Sequence, residues 1–211
     1  MYEKERFDLA ESLYKKGITD KATLKAIIKV ERHLFVKQGL LNHAYKDSAL
    51  YLGHGQTISQ PYTVAFMTEK LNVKSGDPVL EIGTGSGYQA AILHEMGARV
   101  YTIERNFELY QEVSKLFQNM RLHIYPRCGD GTIGWNEFAP YAGIIVTAGS
   151  PSVPPSLKSQ LAIGGRLVIP IGNMKEQELY ILTKTGEDTF ETEIAPNFQF
   201  VPLIGKEGWK S

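Results

Sequence analysis

Val79-Leu80-Glu81-Ile82-Gly83-Thr84-Gly85-Ser86-Gly87 constrains this chain more than any other stretch. An apolar run ends in an acidic residue and then breaks into glycines at alternate positions. A buried strand followed in this way by a helix brings backbone close to a nucleotide-like ligand, because glycine has no Cβ and tolerates positive φ. The spacing separates ligand classes. A dinucleotide fingerprint wants G-x-G-x-x-G. Here the third glycine falls at Gly87, and Tyr88 stands where the fingerprint needs it.

With 211 residues the chain is long enough for one well-buried α/β domain and short for two. It is expected to be a single domain over 1–211, with an N-terminal elaboration (1–78), a cofactor-binding core (79–190) and a C-terminal strand and substrate segment (191–211). Lys+Arg and Asp+Glu balance at 23 each, so no long-range field favours nucleic acid or an anionic membrane. No apolar run approaches the roughly 18 residues of a membrane span. The N-terminal Tyr2-Glu3-Lys4-Glu5-Arg6 is charged and leads into no apolar signal region. The single cysteine, Cys128, allows no internal disulfide. The cytoplasm is the default compartment for such a chain, and a monomer is expected, although oligomeric state is not legible in the sequence. The 5 histidines are scattered without ligand spacing, so no metal is expected.

The first third reads as helical. Phe7, Ala10, Leu13 and Tyr14 recur at helical spacing and Gly17 ends the segment. Thr19 or Asp20 caps a second helix with Leu24, Ile27 and Ile28 on its apolar face. From residue 79 strands and helices alternate. Strands are expected at Val79–Ile82, Val100–Glu104, Leu122–Arg127 and Gly143–Thr147, with helices at Gln89–Met96 and Glu108–Asn119 between the first three. A helix Ser156–Leu161 and a turn at Gly164-Gly165 lead into a strand Arg166–Ile171. The last strands are expected at Glu178–Thr183 and Phe198–Leu203, with no helix between them long enough for a parallel crossover. This pattern implies an α/β, doubly wound, mainly parallel sheet of about seven strands, with an antiparallel strand near the C-terminus.

In an open α/β sheet, ligands bind at the carboxyl ends of the strands. Three carboxylates fall there. Glu81 is placed either to satisfy glycine-loop N–H groups or to meet a ligand ammonium. Glu104 ends the second strand about twenty residues after the glycines, where a carboxylate accepts from ribose hydroxyls. Asp130, before Gly131, is placed to accept from an adenine amino group, although alone it reads as an ordinary Asp-Gly turn. The E-x-G-x-G-x-G form resembles motif I of the class I methyltransferases, which use S-adenosyl-L-methionine. An acidic rim suits that cationic donor. No Walker lysine is present, and no Lys or Arg lies within the glycine loop to neutralise phosphate. Gly83, Thr84, Gly85, Ser86 and Gly87, with Glu81, Glu104, Asp130 and Gly131, are the expected cofactor residues of a Rossmann-like methyltransferase.

The acceptor is narrowed by exclusion. The [N/D]-P-P-[Y/F] box of enzymes that methylate base amino groups is replaced by Thr147-Ala148-Gly149-Ser150-Pro151, and Cys128 follows Arg127 rather than proline. The stretch His54-Gly55-Gln56-Thr57-Ile58-Ser59-Gln60-Pro61 precedes a helix expected over Tyr62–Leu71. Pro61 suits a first helical turn, and Ser59 or Gln60 sits at or beside the N-cap. Ser59 is then either a helix cap or, with Thr57, part of an anion site that docks a carboxylate.

This stretch, with Ala44-Tyr45-Lys46-Asp47, Glu81 to Gly87, Gly129-Asp130-Gly131-Thr132, Ile145-Val146-Thr147-Ala148 and Phe200-Val201-Pro202-Leu203, resembles the protein-L-isoaspartate O-methyltransferase family. The resemblance runs in order from Val30 to Gly205. It implies methylation of the α-carboxylate of L-isoaspartyl residues in damaged proteins and peptides, followed by spontaneous succinimide formation and partial return to aspartate. It implies that Ser59 is the catalytic serine with Thr57 and Ile58 beside it, and that Val201, Pro202 and Leu203 contact the substrate. The chain departs from relatives at Ala142, at Gly149-Ser150 and at Val64, where some carry histidine. An α-carboxylate has a pKa near 3.5 and needs no general base, which agrees with the lack of a Ser-His-Asp set. The competing readings are a methyltransferase of the same fold acting on another carboxylate or small molecule, and a cofactor-binding protein without transfer.

Overall fold

The computed structural model describes residues 2–210. Its N-terminal helix α1 (Glu3–Lys15) buries Leu9, Ala10 and Leu13 and stops where Gly17 takes φ 98°. The expected stripe is shifted. Phe7 and Tyr14 are 53% and 60% exposed. Phe7 lies about 200° around the helix from Leu9, and the neighbouring layer meets the Leu9–Leu13 side. Helix α2 (Lys21–Lys29) is capped by Asp20, whose carboxylate accepts from the Ala22 and Thr23 amides. Its buried residues are Thr23, Ala26 and Ile27. A short antiparallel hairpin, β1 (Leu50–Gly53) and β2 (Gln56–Ile58), follows within the part read as helical. Helix α3 (Pro61–Leu71) starts at proline, as expected.

The central sheet is built by β3 (Pro78–Ile82), β4 (Arg99–Glu104), β5 (Ile124–Cys128), β6 (Tyr141–Val146), β7 (Leu161–Gly172), β8 (Gln177–Lys184) and β9 (Phe190–Phe198). Its order is β5-β4-β3-β6-β7-β8-β9. The strands from β5 to β7 are parallel, and β8 runs antiparallel to both its neighbours. Helix α4 (Tyr88–Glu95) links β3 to β4, and α5 (Phe107–Asn119) links β4 to β5. The short α6 (Pro155–Ser159) precedes β7.

Strand alternation divides the core in two. Val79, Val100, Ile145 and Val168 join α1 to α5 on one face. Leu80, Ile82, Ile144 and Leu167 pack on the other, which α6 and short 3₁₀ turns cover. The chain moves outward from β3 to β5 and returns to β6 on the opposite side of β3. A crevice therefore opens between the ends of β3 and β6.

Two C-terminal expectations are corrected. Gly164-Gly165 is an irregularity inside β7 rather than a turn before it, since the β6–β7 register jumps from Tyr141↔Leu161 to Gly143↔Arg166. The last strand is Phe190–Phe198, not Phe198–Leu203. The latter segment instead bridges to the loop after β6: the Gly149 N–H donates to Val201 O (2.8 Å) and the Leu203 N–H to Gly149 O (2.8 Å).

Candidate active site

Three loops meet over that crevice. The glycine turn after β3 is held from both sides. Thr147, after β6, donates its hydroxyl to Gly83 O at 2.7 Å and its amide to Ile82 O at 2.9 Å. Gly83 has φ 95°, and a Cβ there would collide with the Thr147 hydroxyl. Gly87, at φ 83°, starts α4 where a Cβ would lie 2.6 Å from Val113 and Phe117 carbons. These two glycines let the strand turn sharply and the helix pack closely.

Glu104, at the end of β4, accepts from the Gly85 N–H at 2.9 Å and from the Asn106 N–H at 2.9 Å. It fastens the glycine loop to the start of α5. Satisfying that loop is thus Glu104's role, not the one Glu81 was given as one option. Glu81 is fully buried and receives the Thr102 hydroxyl on Oε2, with Thr84 and Thr102 hydroxyls 2.6 Å apart beyond it. Its Oε1 is buried without a hydrogen-bond partner among the described residues. Burial pushes the Glu81 carboxyl up from an ordinary 4.5 to about 8, the Thr102 hydroxyl opposes this, and the Glu104 charge adds to it.

The serine loop forms the facing wall. Ser59 does not cap α3. The N-cap is Gln60, with no side-chain capping bond. The Tyr62 N–H is instead satisfied by Asp47 Oδ1 at 2.8 Å. Behind Ser59 lies Arg32, fully buried, donating from Nε to Ala44 O (2.9 Å) and from Nη2 to Ser59 O (2.9 Å). Its guanidinium sits 4.8 Å from the centroid of the Tyr88 ring, the first residue of α4. Burial lowers the pKa of Arg32, and the neighbouring Tyr88 hydroxyl and Asp47 carboxylate oppose the shift. Burial likewise pushes the Tyr88 hydroxyl up to about 12. One buried cation thereby ties the serine loop to the helix that begins at the glycine turn.

Glu81, Gly83, Thr84, Gly85, Ser86, Glu104, Gly131, Thr57, Ile58, Ser59, Val201, Pro202 and Leu203 all line one open cleft of about 1220 Å³. Gly87 and Asp130 are not among its lining residues. Asp130 accepts from the Thr132 N–H and hydroxyl on Oδ1 and from the Lys206 N–H on Oδ2. Burial alone would raise its pKa, and those donors turn the shift downward.

The chain matches the family described as protein-L-isoaspartate(D-aspartate) O-methyltransferase over residues 4–208. It belongs to that family. A protein-L-isoaspartate O-methyltransferase of Chlorobaculum tepidum is 53% identical over 208 residues, covering 98% of this chain and 97% of that one. One of Dictyoglomus thermophilum is 51% identical over 210 residues, covering 99% and 95%. Among solved structures, a protein-L-isoaspartate O-methyltransferase superposes with TM-score 0.87 at 30% identity, covering 96% of this chain and 67% of that one. A putative one from Plasmodium falciparum, in complex with S-adenosyl-L-homocysteine, superposes with TM-score 0.83 at 25% identity, covering 94% and 98%.

Within this isoaspartate methyltransferase frame, several site residues escaped the sequence reading. Arg32 stands in the polar run Glu31-Arg32-His33, and nothing local in the sequence marks it as buried. Thr102 and Thr147 looked like ordinary strand residues. The β1–β2 hairpin carries Thr57 and Ile58 to the cleft and turns through Gly53, His54 and Gly55, all at positive φ. A Gly-x-Gly between β-branched and aromatic residues was the available hairpin signal. Of the departures from relatives, Val64 is buried in the cleft wall and Gly149 makes room for Gln177.

Proposed function

We propose that this protein transfers the methyl group of S-adenosyl-L-methionine to the α-carboxylate of L-isoaspartyl residues in damaged proteins and peptides, starting a repair that continues through a succinimide. The observation that carries the reading is the shared cleft: Ser59, relieved of any helix-capping duty, lines the same cavity as the glycine turn and the Glu81–Glu104 pair. A cavity of about 1220 Å³ exceeds the roughly 300–1,000 Å³ of small-molecule sites, leaving room for a peptide beside a cofactor.

The residues fit the cofactor. The orphaned Glu81 Oε1 offers an acceptor for an ammonium group, Glu104 stands where ribose hydroxyls need a carboxylate, and Gly83 to Ser86 supply the turn. Asp130 holds the turn that brings Gly131 to the cleft's adenine end. When bound, the cofactor supplies an electrophilic methyl group. The protein's own work is positioning. Ser59 orients an acid that is already ionised, with Thr57 and Ile58 on the hairpin and Val201 to Leu203 across the cleft. Holding the reacting atoms in line contributes on the order of 7–11 kcal/mol, so no general base or nucleophile is required.

The chain is read as one methyltransferase unit that acts on proteins and peptides rather than nucleic acid, as a cytoplasmic monomer. A net charge of +0 gives no long-range attraction to nucleic acid, and no helix among the described residues is long and apolar enough to cross a membrane. Incubation with methyl-labelled cofactor and matched peptides containing Asp or isoAsp tests the function. Base-labile label on the isoAsp peptide alone is expected; label on both, or on neither, refutes it.

A further inference from the structure

Between the serine loop and the Val201–Leu203 segment runs a row of aromatic rings that neither the cofactor site nor the methyl transfer uses. Tyr62 and Phe66, one helical turn apart on α3, have centroids 5.9 Å apart. Phe66 lies 5.6 Å from Phe198, and Phe198 lies 6.4 Å from Phe200. All four are partly buried against the core, and all four line the cleft. Two features fix the row in place. Asn197 adopts φ 68°, a left-handed conformation that asparagine tolerates, and bulges β9 just before Phe198, which pairs with Gln177 of β8. Lys70 lies 5.6 Å from the Phe66 ring and pairs with Glu193 of β9 at 2.5 Å, closing the outer end between α3 and the sheet.

Rings left half-covered along a cleft wall are a surface that gains by covering. What covers this one follows from where the row begins and ends. Tyr62 comes three residues after Ser59, and Phe200 immediately precedes Val201, so the row joins the two elements that the proposed function assigns to the substrate peptide. A peptide with its isoaspartyl group at Ser59 and its backbone along Val201 to Leu203 must pass these rings. We infer that Phe66 and Phe198, flanked by Tyr62 and Phe200, form a subsite for a large apolar or aromatic side chain close to the isoaspartyl residue. This rests on the isoaspartyl reading and adds a side-chain preference to it. Because the row lies on one side of Ser59, the preference belongs to one side of the isoaspartate.

The test uses isoaspartyl peptides that differ only in having Phe, Leu, Ser or Gly at each of the two positions before and after the isoAsp. The full-length enzyme is assayed with labelled cofactor. Phe or Leu is expected to raise kcat/KM about tenfold over Gly, through KM, at a position on one side only. Phe198→Ser should erase that advantage, so that the Phe-, Leu- and Gly-flanked peptides are methylated with similar kcat/KM. Phe66→Leu, which removes the ring but keeps an apolar side chain against the core, should reduce it. S-adenosylhomocysteine binding and thermal melting confirm that each variant is folded; if one is not, the other decides. Transfer that ignores the flanking residue, or a preference that survives Phe198→Ser, overturns the subsite alone. Absence of transfer to every isoaspartyl peptide overturns the methyltransferase reading as well.

Discussion

With Glu81 meeting the cofactor's ammonium group as proposed, its buried carboxyl should make cofactor affinity depend on pH in a direction and size that follow from its environment. Burial lifts it to about 8, so at neutral pH the cofactor-free site holds it mainly protonated. A cationic ligand with an ammonium group binds best to the ionised form. Ionising a group one unit below its pKa costs about 1.4 kcal/mol, and each further unit costs the same again. Affinity for S-adenosyl-L-methionine should therefore rise about tenfold per unit between roughly pH 6 and 7.5, then flatten near 8. Above that, loss of the ligand's own ammonium proton, at about 7.7–8.0, works against binding. Calorimetric titration in buffers of different ionisation enthalpy should show release of nearly one proton per cofactor at pH 6.5. Glu81→Gln should bind more weakly at pH 8 and lose both the slope and the proton release. Since the Glu104 charge contributes to the rise, Glu104→Ala should move the midpoint to lower pH. A wild-type profile that matches Glu81→Gln would refute the reasoning. The same group shapes stability without cofactor. Between the ordinary value of 4.5 and about 8, the unfolded chain has released its proton while the native carboxyl retains it. Folding then takes up a proton, and this group's contribution falls by about 1.4 kcal/mol per unit as pH rises through that window. Glu81→Gln should flatten that decline in chemical denaturation.

The remaining predictions separate positioning from packing. Ser59→Ala should lower the methyl-transfer rate well over tenfold with cofactor affinity little changed; near-normal turnover on an isoaspartyl peptide rejects its role. Because Gln60 rather than Ser59 occupies the α3 N-cap, the same change should leave stability within about 0.5 kcal/mol, as read by urea unfolding. Glu104→Ala should weaken cofactor binding, and an unchanged dissociation constant would remove it from the ribose site. Arg32→Met leaves Ala44 O and Ser59 O without their donor, at roughly 1–3 kcal/mol for each carbonyl that water does not reach. Release of the buried cation offsets part of that loss. Stability should fall, and kcat per cofactor-binding site should fall further, since Ser59 loses its anchor; a kcat that follows only the folded fraction would argue against anchoring.

The parallel half of the fold was legible because both sheet faces are buried. Strands such as Val79–Ile82 then read as unbroken apolar runs, and the amphipathic α5 between β4 and β5 follows a plain helical period. The last strand was not legible for the opposite reason. β9 lies at the sheet edge and carries Glu191 and Glu193 on exposed positions. Such charges keep an edge from pairing with other chains and erase the alternation by which a strand is recognised. The largely apolar Phe198 to Leu203 looked more like a strand, yet past Phe198 it leaves the sheet, lining the cleft and bonding to the loop after β6.

The site divides along the same line. Its cofactor half is local in sequence, since a strand end, a glycine turn and the next strand's carboxylate recur at spacings that chain geometry dictates. The substrate half is assembled from distant segments. Asp47 takes the α3 amide that Ser59 was a candidate to cap, and Arg32 grips the Ser59 carbonyl from 27 residues away. No local pattern reports either contact. Yet these two contacts remove the capping role of Ser59, because a serine whose capping duty is met by another residue, and whose backbone is fixed by a buried cation, has its side chain left over for the cleft.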